Sequence, residues 1–244
     1  MTTFLLTLLF TVSVRAEDLS AVEILQRIDR NMAFDQAIFT SKMVVSGRTG
    51  KRTIASQIWI KGDDKTLVEY LSPPREKGKK MLRVGNKLWT YSPEPNDRII
   101  TISGHLLRQS VMGSDLSYED ITDNSRLAET YSAELVGEEE ISGRLCYVLD
   151  LTAIEKNASY YKRKIWVDKE RWLPLKEDRF AKSGRLLKTT EIVEVFHFAE
   201  RWYPRRIIFK DMLSKSGGTE YIIESIDLNV DIPDHMFTKA ALRR

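Results

Sequence analysis

Three histidines, one cysteine and one compact acidic group are the residues of this chain whose types could support catalysis or metal binding. His105, His197 and His235 lie far apart, and none stands in an HxH, HxxxH or HExxH spacing, so a zinc site is not expected. His197, between Phe196 and Phe198, reads as a strand histidine packed against a cross-strand neighbour. Cys146 lies in the apolar run RLCYVLDL and reads as a small buried hydrophobe rather than a reactive thiol. Being the sole cysteine, it has no intramolecular disulfide partner, and stability has to come from a packed core. There is no GxSxG elbow, no Gly-rich phosphate loop and no dinucleotide fingerprint. Asp115, Glu119 and Asp120 are close enough in sequence for acid–base work. A simpler role suits their setting: Ser114 or Asp115 caps a helix beginning at Leu116, and acids in its first turn complement the helix dipole. The expectation is no catalytic residue, no metal and no cofactor, hence not an enzyme.

The aromatic residues say more. Trp59, Tyr70, Trp89, Tyr91, Tyr147 and Trp166 all fall in strand-like segments. Such side chains either fill a core, their ordinary use in a β protein, or line a cavity. The segment from Ser72 to Lys80, SPPREKGKK, carries positive charge on a Pro-stiffened loop and is either solvated or in contact with anionic head groups or an acidic partner. The run Lys162-Arg163-Lys164 reads as facing water. With 38 Lys and Arg against 35 Asp and Glu, the net charge of +3 argues against a dedicated nucleic-acid binder.

These residues have to be positioned by elements that the pattern makes legible. Residues 1–16 read as a secretory signal, an apolar run from Phe4 to Val14 followed by Val14-Arg15-Ala16, so the mature chain is expected to start near Glu17. That run is shorter than the roughly 20 residues a membrane-spanning helix needs. The absence of a cysteine near the cleavage site predicts a soluble product without a lipid anchor. Ser20 and Glu23 form a capping-box pattern ahead of Val22, Ile24, Leu25 and Ile28, which predicts a helix over 20–30. Strands are expected near 38–46, 53–61, 65–71, 79–84, 86–92 and 97–102, and again near 131–136, 145–152, 160–168, 172–181, 185–198, 202–210 and 219–230. Turn chemistry at Lys61-Gly62-Asp63-Asp64 and Val84-Gly85-Asn86-Lys87 suits antiparallel reversals. Between Gly104 and Asp123 a helical spacing of Leu106, Leu107, Val111, Met112, Leu116 and Ile121 predicts a helical insertion over 104–121, weakened at Gly113. A short helical turn is expected at Pro233 to Phe237. No linker divides the chain, so residues 17–244 are read as one domain. So many antiparallel strands with few helices leave a sandwich or one strongly curved sheet.

The stretch MGSDLSYEDI, Met112 to Ile121, preceded by WTYSPEPNDRIITISG and LLRQSV, resembles the outer-membrane lipoprotein-sorting proteins, the LolA/LolB-like group of periplasmic lipid and lipoprotein carriers. The match runs through Met112, Gly113, Ser114, Asp115, Tyr118, Glu119 and Asp120, and the specific part spans about Trp89 to Ile121. The resemblance selects the curved sheet: a mainly β protein whose single antiparallel sheet forms an unclosed half β-barrel covered by helices, here 20–30 and 104–121. It implies a soluble monomer of the periplasm that binds lipid or lipoprotein acyl chains for transport toward the outer membrane. Its implied partners are an inner-membrane transporter, such as an export pump of the resistance-nodulation-division type, and an outer-membrane acceptor. An acyl chain needs apolar walls and no directional chemistry, about 0.8 kcal/mol being gained per buried methylene. The expected cavity residues are Trp59, Tyr70, Leu82, Trp89, Tyr91, Met112, Leu116, Tyr118, Tyr147 and Trp166. Two other readings stay open, a sensor or interaction module of the same fold that binds a partner protein, and a lipid hydrolase.

Overall fold

The computed structural model describes residues 19–47, 50–93, 95–122, 126–155 and 158–244. The expected signal segment 1–16 and Asp123, at the end of the expected helical insertion, lie outside the described residues. α1 (Ala21–Met32) forms as the pattern predicts. The Ser20 hydroxyl accepts from the Glu23 amide, and the Glu23 carboxylate accepts from the Ser20 amide at 2.8 Å. One stripe of the helix, Ile24, Leu25 and Ile28, is buried.

Thirteen strands follow among the described residues, each overlapping an expected segment. The first six, β1 (Gln36–Gly47), β2 (Gly50–Lys61), β3 (Lys65–Ser72), β4 (Lys80–Val84), β5 (Lys87–Ser92) and β6 (Arg98–Ile102), form a meander. The last seven, β7 (Tyr131–Ile141), β8 (Arg144–Ala153), β9 (Lys162–Asp168), β10 (Pro174–Phe180), β11 (Leu186–Phe198), β12 (Arg201–Asp211) and β13 (Thr219–Asp227), form a second. Antiparallel pairing of β1 with β13 joins the two into one sheet, in the order β6-β5-β4-β3-β2-β1-β13-β12-β11-β10-β9-β8-β7. The tight reversals after β2 and β4 use Gly62 and Gly85 at positive φ, where a side chain would be strained.

β6 and β7 stand at opposite ends of the sheet, which is not closed. The connection between them therefore has to cross the sheet, and its described parts do so over one face, here called inner. This crossing is not the single helix that the apolar spacing predicts. It is built from a 3₁₀ turn at Gly104–Arg108, a second at Val111–Gly113, α2 (Tyr118–Thr122) and α3 (Leu127–Thr130). Met112 at φ 52° and Gly113 at φ 71° break the helix, and a bridge between Ser110 and Ser117 folds the chain back. α2 starts at Tyr118, beyond the cap positions Ser114 and Asp115 that the pattern offers, and the amide and hydroxyl of Ser117, just before it, both donate to the Asp120 carboxylate at 2.7 Å.

The sheet is covered on both faces. Inside, α1 packs on Leu149, Leu151, Ile165 and Val167, while the crossing segment covers Met43, Ile54, Val68, Tyr70, Met81 and Leu88. Outside, Ile232, Phe237 and Leu242 of the C-terminal segment, which includes the expected turn at Asp234–Phe237, pack on Leu67, Leu82, Trp59, Trp89 and Tyr91. Since successive strand residues point to opposite faces, Leu67 and Leu82 belong to one layer and Val68 and Met81 to the other.

Candidate functional site: a cavity beneath the crossing segment

Between the inner face and the crossing segment lies a cavity of about 280 Å³. Its floor is Phe39 of β1, Ile58 and Ile60 of β2, Tyr203, Ile207 and Phe209 of β12, and Tyr221 and Ile223 of β13. Its roof is Leu116 and Ile121, and among the described residues only Asp120 and Arg179 bring charge to its lining. A smaller cavity of about 60 Å³ shares Ile58, Leu116, Ile121 and Tyr221 with it and runs on toward Tyr70 and Met81. Inside, the Tyr221 hydroxyl donates to Ser41 Oγ at 2.9 Å and Ser41 is hydrogen-bonded to Ser56 at 2.9 Å, so these buried hydroxyls are mutually satisfied. Burial pushes the Tyr70, Tyr203 and Tyr221 hydroxyls above their ordinary pKa, and these groups stay neutral. On the other side of the crossing segment is an open cleft of about 680 Å³, lined by His105, Arg108, Ser117, Glu119, Tyr160 and Lys188 among others.

Three polar anchors hold the roof. Arg52 of β2 donates to the Met112 carbonyl. Asp115, fully buried, accepts from the Asp211 amide at 3.0 Å, from Thr219 Oγ1 at 2.7 Å and from Ser216 Oγ, which ties the middle of the segment to the β12–β13 reversal. Asp120 accepts from Tyr160 Oη at 2.6 Å, from Arg179 Nη1 at 2.9 Å and from Lys188 Nζ. Behind Arg179, Glu177 accepts from Arg163 Nη1 at 2.8 Å and from Arg179 Nη2 at 2.9 Å. Burial would raise both carboxyls, yet Arg179 and Lys188 around Asp120, and Arg179 and Arg163 around Glu177, outweigh it and hold each at about 2. Both are ionised at neutral pH.

The structure divides the ten residues expected at the cavity. Tyr70, Met112, Leu116 and Tyr118 come together at the inner face beneath the crossing segment, with Tyr70 and Leu116 lining a cavity. Trp59, Leu82, Trp89 and Tyr91 do not join them: they are on the outer face, under the C-terminal segment. Tyr147 packs in the α1 cluster, stacked on Trp172 at 6.2 Å, and Trp166 lies with Cys146, Val148, Leu173 and Leu175 on the other side of the sheet. Trp166 Nε1 donates to Glu139 at 2.7 Å, with Lys176 Nζ 4.4 Å from its ring. Arg163, read from sequence as facing water, is buried at 4% exposure and carries its guanidinium over Tyr131. Cys146 is buried as expected, its thiol pushed up to about 11 by burial, and His197 packs edge-on against Trp202, its cross-strand partner. In the loop after β3, Glu76 is buried and pairs with Lys79 at 2.7 Å, so part of that loop's charge is neutralised internally. Sequence reasoning missed Phe39, Ile58, Ile207, Phe209 and Ile223. Their signal was the alternation within β1, β2, β12 and β13, which names two faces without saying which is inner.

A family model described as "Uncharacterized protein" matches residues 62–244. No curated protein matches the chain. Among solved structures, a DUF1329 family protein from Desulfovibrio piger is similar at 25% identity and a TM-score of 0.83, over 91% of this chain and 98% of that one. A LolA superfamily protein from Nitrosomonas europaea is similar at 26% identity and a TM-score of 0.76, over 92% of this chain and 100% of that one. A domain assigned to outer-membrane lipoprotein sorting, from Vibrio parahaemolyticus, shares the fold at 24% identity and a TM-score of 0.81, over 92% and 98%. Among the described residues no helix is long and apolar enough to cross a membrane. A roofed, unclosed sheet with an apolar interior supports a carrier or binding role in general. The chain belongs to the family whose model spans residues 62–244, and its fold is that of the LolA superfamily and DUF1329 structures it resembles.

Proposed function

We propose that this protein is a periplasmic carrier that takes an acyl chain of a lipid or lipoprotein into the cavity beneath residues 104–122. On this reading residues 1–16 direct export, residues 17–244 act as one binding domain, and no covalent chemistry is performed. The observation that carries it is the cavity lining: apart from Asp120 and Arg179, every described residue around the 280 Å³ space is apolar or aromatic. Small-molecule sites usually enclose ~300–1,000 Å³, so the space in this closed form is small for a guest. The crossing segment therefore acts as a lid that moves outward when a chain enters. The lid suits this use because polar contacts at Met112, Asp115 and Asp120 tie it to the sheet, while its underside, with Leu106, Leu107, Leu116 and Ile121, is apolar and able to lie against a guest as it lies against the sheet. Tyr70, Met112, Leu116 and Tyr118 remain proposed guest contacts, joined by Phe39, Ile58, Ile207 and Phe209. On this reading the cargo moves toward the outer membrane, from an inner-membrane transporter to an outer-membrane acceptor.

Binding of a neutral fluorescent acyl probe tests this. The wild-type protein should bind it with saturable, one-to-one stoichiometry, and I207W, which fills the floor of the cavity, should weaken binding about ten-fold or more, in line with several methylenes denied burial at roughly 0.8 kcal/mol each. Equal binding by I207W, with the protein shown folded by circular dichroism, would place the guest elsewhere and defeat the reading.

A further inference from the structure

The Asp120 carboxylate sits at the seam between the apolar cavity and the open cleft. Asp120 and Arg179 line the first, and Ser117, Tyr160 and Lys188 line the second. Five hydrogen bonds converge on this one carboxylate. Two come from the lid itself, from the Ser117 amide and hydroxyl, and three come from outside the lid, from Tyr160, Arg179 and Lys188. That saturates a group with about four lone-pair sites.

Outward movement of the lid separates these partners. Asp120 and Ser117 leave with α2, whereas Arg179 stays on β10, Lys188 on β11 and Tyr160 ahead of β9. In the closed form Arg163, Arg179 and Lys188 are set against Asp120 and Glu177. With Asp120 gone, Arg179 keeps Glu177 while Lys188 loses the carboxylate it is paired with. Arg179 and Lys188 are each only 12% exposed, and Arg179 Nε is already without a hydrogen-bond partner. An uncompensated charge in such a place is costly, and charge-assisted hydrogen bonds to an incoming anion are about twice as strong as neutral ones. The head group that arrives at the seam, with its chain in the apolar cavity, is thus selected by charge.

We infer that the ligand is an amphiphile with an anionic head group, a carboxylate or a phosphate, which replaces the Asp120 carboxylate on Tyr160, Arg179 and Lys188 while its alkyl chain fills the cavity. Asp120 is then the lid's own stand-in for the ligand's head, holding the lid closed until a competing anion enters. This inference rests on the carrier reading and narrows its cargo.

Four amphiphiles of one chain length test it: dodecanoate, dodecyl phosphate, dodecanol and dodecyltrimethylammonium, each titrated into the full mature chain by displacement of N-phenyl-1-naphthylamine. Both anions should bind about ten-fold or more tightly than the alcohol, and the cation more weakly than the alcohol. Whichever anion binds more tightly identifies the head group as carboxylate-like or phosphate-like. In K188Q and in Y160F the anion-to-alcohol ratio should fall toward one, two variants being used because either could disturb folding on its own. Dodecanol binding as tightly as both anions, or a ratio unchanged in both variants, would overturn the inference while leaving the carrier reading standing. Failure of every amphiphile to bind would overturn both.

Discussion

At the scale of single residues, the cavity is governed by a contrast between many interchangeable apolar side chains and a few polar ones that are not interchangeable. Ile58, Ile207, Phe209 and Ile223 offer area, and area is additive. Asp120 is different, because its five hydrogen bonds and two cationic partners make the ionised form the favoured one in the fold. Its folded-state value near 2 lies below the ordinary 3.8, so its stabilisation is fully present above the ordinary value and is lost as pH falls through about 2. That shift corresponds to about 2 kcal/mol. D120N should accordingly be less stable than the wild type by roughly this amount at pH 7, measured by urea unfolding, with the gap closing between about pH 4 and pH 2. A gap that stays constant across that range would show that Asp120 acts through something other than its charge. The partners of Asp120 were not legible in sequence, since Arg179 and Lys188 lie 59 and 68 positions away and only the folded sheet brings them to α2. What local pattern offered was an acid in the first turn of a helix, which Asp120 is, and a cap at Ser114 or Asp115, which α2, starting at Tyr118, does not use.

At the scale of elements, the lid is the part whose sequence pattern was most misleading. Apolar residues at helical spacing over 104–121 do bury one side, as the spacing implies, but the backbone that presents them is two 3₁₀ turns and a short helix. Met112 and Gly113 in the left-handed region account for the difference. Such a backbone is cheap only for glycine, which explains Gly113 and leaves Met112 carrying strain held in place by Arg52. G113A should cost about 1–2 kcal/mol in unfolding free energy, chiefly through φ, since the nearest atom to an added Cβ is the flexible Arg52 guanidinium at 3.5 Å. A neutral effect would mean that the turn is not formed in solution. A separate test fixes the lid: a disulfide through D115C and T219C, whose native side chains are hydrogen-bonded at 2.7 Å, should block uptake of an acyl probe, and reduction should restore it. Uptake undiminished in the oxidised form would mean that the guest enters without lid movement. The strands, by contrast, were readable because β-branched and aromatic runs alternate with turns such as the one at Gly62, and sequential hairpins leave little freedom of topology.

At the scale of the whole molecule, the open sheet explains both why a cavity exists and why its walls were hard to name from sequence. Its two edges, β6 and β7, are joined by a chain that has to travel across the sheet, and that traverse is the segment we propose as the lid. Meanwhile the C-terminal segment covers the outer face of β3–β5, so that these strands bury apolar residues on both sides. Where one face is wet, alternation distinguishes inside from outside; where both are covered, Trp59 and Ile58 look equally interior. That is why Trp59, Leu82, Trp89 and Tyr91 were expected at the cavity and are found beneath Phe237 and Leu242 instead. The outer layer makes its own prediction. F237A should destabilise the fold by about 3–5 kcal/mol in urea unfolding, as large-to-small changes at buried aromatic positions do, without altering the anion-to-alcohol preference of the cavity. A change below about 1 kcal/mol would show that the C-terminal segment is not packed as described.

The central claim, that the space beneath the lid holds an acyl chain, is tested most directly by native mass spectrometry. The full chain would be expressed in a Gram-negative periplasm, purified without detergent, and weighed intact before and after solvent extraction. The account predicts a bound species of lipid mass at up to one per protein, released on extraction and carrying an acidic head group. A protein that emerges empty and stays empty when lipid is supplied would contradict it.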